Sequence, residues 1–260
     1  MTTHYNKKEL KQPDIMTQEL KKGFKWTTQH SKIVVGAIVV FILVGIGLSA
    51  YQYVSEKKET QAQESYYKIE RDYLKKKDAF NRAENPEKPK AGKQPEAAAD
   101  AVKATGDFDK DYGPVVQQFL ELIAQFPNSH AARMSALILS EIDFKYHREK
   151  EALDTMNKIQ LGSDLLSAMV LEQKGTAQAN LNDCPQAVAT WGQVLAMKSA
   201  QILEGEVYLR QGLCFEAMNE RTKAEEAYNK IIAGAKDKAI AGAAEKYLRL
   251  LKLTEKTKVN

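Results

Sequence analysis

From Ile33 to Ser55 the chain runs without a charged residue, as IVVGAIVVFILVGIGLSAYQYVS. A helix of that length reaches about 34 Å, enough to cross a hydrocarbon core of roughly 30 Å. Trp26 precedes the stretch and Tyr51 and Tyr53 close it, where aromatic rings favour the membrane interface. The pattern predicts a transmembrane helix over 33–55. A buried core helix and a cleaved signal peptide are the competing readings. The apolar run is longer than a signal peptide needs, and the small-residue exit Leu48-Ser49-Ala50 starts with a bulky leucine. Gly36, Gly45 and Gly47 are ordinary in a membrane helix and would also admit a close helical neighbour.

Past the apolar run the period changes. Over 56–82, Ala62, Tyr66, Ile69, Tyr73 and Phe80 recur at spacings of three, four or seven and predict an amphipathic helix leaving the membrane. Lys75, Lys76 and Lys77 read as its solvated side, with anionic lipid as an alternative contact. The stretch NPEKPKAGKQPEAAADAVKATGD is rich in proline and poor in packing residues, so 83–111 is expected to be a mobile loop. Within it, 96–104 is alanine-rich enough for a transient helix. Order is expected again near Tyr112, with Pro114 in the first turn of a helix that ends at FPNSH.

The rest of the chain repeats itself. ALILSEIDFKYHREKEALDTMNKI, LEQKGTAQANLNDCPQAVATWGQV and YLRQGLCFEAMNERTKAEEAYNKI align, at periods of 35 and 37 residues. In each, a small residue is followed twelve positions later by alanine: Ser140 and Ala152, Gly175 and Ala187, Gly212 and Ala224. Four further on stands Met156, Trp191 or Tyr228, and three beyond that Ile159, Val194 or Ile231. A glycine inside a helix costs about 1 kcal/mol relative to alanine. Close packing of two antiparallel helices offsets that cost, so the glycines are expected where the second helix enters the first. One hairpin cannot bury its apolar face alone and must stack on the next.

These columns resemble the tetratricopeptide repeat, over roughly 112–250. VVQQFLELIAQFP resembles the second helix of an earlier repeat, with Val115, Phe119, Leu122 and Pro127 in its columns. Its first helix would be 56–82. The three clear repeats lack the closing proline, so they are degenerate copies. The resemblance implies an all-α chain, with a transmembrane helix followed by an α-solenoid of repeats over 112–253. AIAGAAEKYLRLLKL would be the capping helix and 254–260 a frayed end. It also implies a binding groove on the first helices. The family's groove positions fall on Met134, Leu137, Glu141, Phe144 and Lys145, on Met169, Glu172, Thr176, Ala179 and Asn180, and on Glu206, Leu209, Leu213, Glu216 and Ala217. Such a groove suits an extended peptide or a partner helix.

Charge adds direction. The net charge is +4. Seven lysines against three acidic residues in the tail 1–32 account for all of it, leaving 31 basic and 31 acidic groups beyond. A neutral repeat region argues against a nucleic-acid partner. Seven lysines precede the span and only Lys57, Lys58 and Lys68 follow it within residues 51–70, which puts the tail in the cytoplasm and the repeats across the membrane. No catalytic or phosphate-binding motif is present, and His4, His30, His130 and His147 have no partner at ligand spacing. The residues therefore point to no enzyme, cofactor, metal or small-molecule substrate. Cys184 opens a second helix and Cys214 follows Gly212 on the next first helix. In an oxidising compartment they are either a disulfide or two small buried thiols.

Basic tail, single span, exit helix and degenerate repeats together resemble the YfgM family, ancillary subunits of the bacterial Sec translocon. That resemblance implies a single-pass inner-membrane protein with a periplasmic repeat domain. Its implied partners are the lipid bilayer, translocon subunits, periplasmic chaperones and nascent exported chains. A scaffold for envelope division or secretion machinery, and an organelle outer-membrane import receptor, are the alternatives.

Overall fold

A computed structural model describes residues 15–85, 102–234 and 238–258. The described residues are mostly helical, without strands: α1 (Ile15–Gln29), α2 (Ser31–Glu84), α3 (Phe108–Asp111), α4 (Gly113–Gln125), α5 (His130–Lys145), α6 (Glu149–Asn157), α7 (Leu165–Asn180), α8 (Cys184–Leu195), a 3-10 turn (Lys198–Leu203), α9 (Glu204–Ala217), α10 (Arg221–Gly234) and α11 (Lys238–Lys258). The chain divides into two compact units at Lys57/Lys58.

Among the described residues of the first unit, most large apolar side chains are exposed. Phe41, Leu43 and Ile46 are 83%, 62% and 61% exposed. The apolar stretch of α2 is the one part of the described chain long and apolar enough to cross a membrane.

The second unit is built from pairs. Ala62, Tyr66, Ile69, Tyr73 and Phe80 are the buried positions of α2 and meet α4 through Phe119 and Tyr112. Then α5–α6, α7–α8 and α9–α10 form hairpins, and α11 closes on α10. The first helices α5, α7 and α9 also touch in sequence, so they make one layer. Three cores follow each other along the stack, centred on Phe119 and Leu139, on Trp191, and on Tyr228.

Local chemistry sets the boundaries. Ser129, Asp164 and Asp183 cap α5, α7 and α8 by accepting from backbone N–H groups. Pro114 and Pro185 sit in first turns, where no helical N–H is lost. The Glu59 carboxylate satisfies another first-turn donor of α5, accepting from the His130 N–H at 3.1 Å. Each hairpin turn carries one residue at positive φ: His147, Asn182 and Asn219, at 55°, 63° and 60°. The next N–H reaches back five residues, Arg148 to Asp143 O, Asp183 to Gln178 O and Glu220 to Phe215 O. That is the left-handed C-terminal stop of a helix.

Several boundaries differ from expectation. Of the expected loop 83–111, residues 86–101 lie outside the described residues, including most of the alanine-rich piece; Val102–Ala104 are irregular. Order begins before Tyr112, at α3, because Asp111 anchors it. Its carboxylate accepts from Thr105 N (2.9 Å), Thr105 Oγ1 (2.8 Å), Gly106 N (2.9 Å) and Tyr146 Oη (2.7 Å). Burial alone would raise its pKa, but those donors outweigh it and bring it down to about 2. The tail contains a helix, α1, and α11 runs to Lys258, since neither glycine nor proline interrupts its last turns.

Candidate protein-binding face

Each hairpin is keyed by a ring. At Gly175 the three nearest atoms to a built Cβ all belong to Trp191, with Cδ1 at 2.6 Å. At Gly212 they all belong to Tyr228, with Cζ at 2.8 Å. The space in the first helix is therefore filled by the ring sixteen positions on, rather than by the alanine helix alone. Ala152, Ala187 and Ala224 are fully buried, and Ser140 is 2% exposed. Trp191 Nε1–H donates to Glu172 O at 3.0 Å, and the Tyr228 hydroxyl donates to Glu216. Cys184 and Cys214 form a disulfide with Cα atoms 5.3 Å apart, tying α8 to α9.

These keys fix each hairpin, and its first helix carries the positions expected to line a groove, fifteen in all. They do not share one environment. Glu172 and Thr176 are buried, Met134, Leu137, Phe144, Ala179, Glu206, Leu209 and Glu216 are half-buried, and Glu141, Lys145, Asn180 and Ala217 are exposed. Met169 and Leu213 are 37% and 40% exposed, and Leu165, on the stripe of Met169, is 39% exposed. Large apolar side chains therefore remain accessible on α7 and α9.

Glu141, Glu172 and Glu206 on this face are engaged by basic side chains, while Lys145 is exposed. Lys77 reaches Glu141 Oε1 at 2.5 Å and Tyr73 donates to Glu141 Oε2 at 3.2 Å, joining α2 to α5. The hydrogen bond to Glu141 raises the Lys77 pKa. Lys77 is thus not part of a solvated stripe, and Lys76 donates to Lys110 O at 3.3 Å. Arg210 bridges Glu172 at 2.8 Å and Glu206 at 2.9 Å, joining α7 to α9. Its Nε approaches Glu172 off the hydrogen-bond line, so that contact is ionic. Burial raises the Glu172 pKa, against the opposing pull of Arg210 and the Thr176 hydroxyl. The sequence placed Tyr73 on the apolar stripe of 56–82 and Lys77 on its solvated side, without their pairing to Glu141, and did not single out Arg210, for which the Glu206–Arg210 spacing of four was a local signal.

No group of three or more metal-ligating side chains occurs among the described residues. The arrangement offers accessible apolar side chains beside paired carboxylates.

The tetratricopeptide repeat-like domain model matches residues 25–207. A fold of this kind typically serves as a non-catalytic protein-interaction scaffold. A solved crystal structure of MamA is similar at 19% identity, covering 61% of this chain and 98% of that chain, with a TM-score of 0.42. No curated protein matches the chain.

Proposed function

This chain belongs to the tetratricopeptide repeat-like domain family, and from that premise we propose that it is a membrane-anchored adaptor for unfolded exported chains. In this reading it is a YfgM-type ancillary subunit of the Sec translocon. The first-helix face takes apolar segments as they emerge and passes them to periplasmic chaperones. One observation carries the reading: Met169, Leu213 and Leu165 stay accessible, while Arg210, Glu172, Glu206, Lys77 and Glu141 satisfy one another. A face whose charges are mostly paired and whose apolar contacts are separate discriminates little among sequences, as a carrier of nascent chains requires. The anchor adds effective concentration at the membrane, so weak contacts suffice. The lysine-rich tail supports a cytoplasmic N-terminus and periplasmic repeats.

Photocrosslinkers at Met169 and Leu213, in native membranes, test this. Capture of translocon subunits, chaperones or nascent exported chains is expected. Capture of none of these overturns the reading. Protease accessibility of the repeats from the periplasmic side tests the orientation separately.

A further inference from the structure

The helix α1 is not used by the adaptor reading, yet it has the features of a surface-binding element. Leu20, Gly23, Phe24 and Thr27 are spaced by three, four and seven and share one helical face. Leu20 and Phe24 are 68% and 73% exposed. Lys21 and Lys25 form a second exposed stripe about 100° around the helix. The helix ends at Gln29, and α2 begins two residues later at Ser31.

Side chains at the joint favour a bend. Thr27 and Thr28 hydroxyls donate to Phe24 O at 2.9 and 3.1 Å, and Thr28 also donates to Lys25 O at 2.9 Å. Trp26 O takes the His30 N–H at 2.9 Å, and the Trp26 and His30 rings stack at 5.0 Å. Hydroxyls bonded back to helix carbonyls favour a kink. Were α1 a straight continuation of the span, Leu20 would stand about 20 Å beyond Ile33, out in water.

We propose that α1 lies along the bilayer surface beside the span, with Leu20 and Phe24 in the headgroup–acyl boundary and Lys21 and Lys25 among anionic headgroups. A basic amphipathic helix held next to a span is already at the lipid surface, and its charge complements anionic lipid. This rests on the membrane-span reading and not on the identity of the exported partners.

The full chain carries the test. Its two native cysteines are bonded to each other, so a nitroxide labels one introduced cysteine. Labels at Leu20→Cys, Phe24→Cys, Lys21→Cys and Lys25→Cys are compared in vesicles, using collision with oxygen against collision with a water-soluble nickel chelate. In equal parts phosphatidylcholine and phosphatidylglycerol, the first two should favour oxygen severalfold over the last two. Lys21→Gln with Lys25→Gln should lower the surface-bound population about thirtyfold, from about 1 kcal/mol per basic residue. Equal chelate access at all four positions overturns the proposal, as when α1 stands in water or covers a protein partner. An unchanged depth pattern in phosphatidylcholine alone overturns the assignment to anionic lipid. A Phe41→Cys label separates the two readings: deep burial there with α1 in water sinks only this inference, while water access at Phe41 sinks the span itself.

Discussion

Replacing Gly175 with alanine should destabilise the repeat unit, although helix propensity alone favours alanine by about 1 kcal/mol. The new Cβ would stand 2.6 Å from Trp191 Cδ1 and 2.7 Å from Cε2. Carbon atoms in contact prefer roughly 3.5–4.0 Å. The indole cannot yield cheaply, because it is 1% exposed and its N–H is committed to Glu172 O. Overpacking costs about 1–3 kcal/mol, and a disturbed hydrogen bond about 0.5–1.5 kcal/mol more. Set against the propensity gain, the net loss is about 2 kcal/mol, or about 4–8 °C in melting temperature for a unit of this size. Urea unfolding followed by circular dichroism measures it. Gly192 is the internal control: it is exposed on α8, and nothing lies within 4 Å of a built Cβ. Gly192→Ala should therefore stabilise by up to about 1 kcal/mol. In a Trp191→Leu background, Gly175→Ala should lose most of its cost. The reasoning is refuted if Gly175→Ala stabilises the natural chain, or if its cost survives removal of the indole.

Asp111→Ala should cost about 3 kcal/mol at neutral pH, since it strips a buried carboxylate from four donors. The folded pKa lies near 2, below the ordinary 3.8, so this stabilisation is complete above about pH 4 and fades as pH falls toward 2; urea midpoints of both chains should converge there. Asp143 has the opposite sign. Burial pushes its pKa up to about 7, with Arg148 opposing and Glu151 adding, so it contributes a stability that declines as pH rises from about 4 to about 7; Asp143→Asn should flatten that limb in pH-dependent melting. Reducing the Cys184–Cys214 bridge, which spans a separation of 30 residues, should cost about 3–4 kcal/mol on the loop-entropy scale, read as a drop in urea midpoint with reductant that Cys184→Ala/Cys214→Ala reproduces without it.

What could be read from the sequence was what repeats within a helix. The buried face of α2 followed from Ala62 to Phe80, because a stripe at helical spacing has one side to bury. The hairpins followed from columns at matched spacing. Polar contacts between distant segments were not legible. Asp111 meets Tyr146 across 35 positions, and Tyr73 meets Glu141 across 68. No local pattern marks either carboxylate, since an acid on a helix surface and an acid under a loop look alike in the chain. The face of α1 was hidden for another reason: a charge count takes no account of where lysines fall around a helix.

The glycine columns hold a further rule that alanine spacing obscured. The residue sixteen positions after the small one is Met156, Trp191 or Tyr228, and all three are buried. Glycine stands where that partner is a rigid ring, and serine, Ser140, where it is methionine. A ring needs the full depth of a missing side chain, whereas an unbranched methionine bends around a hydroxymethyl group. Between each pair, at the same relative place, sits the residue with positive φ: His147, Asn182 or Asn219. That turn fixes how the second helix returns, and the return decides which later residue lands on the hole. The repeat is thus specified by three coupled choices: a small residue, a left-handed stop and a bulky partner. Size is traded between the first and the last, which is why these copies can diverge in sequence and keep one packing.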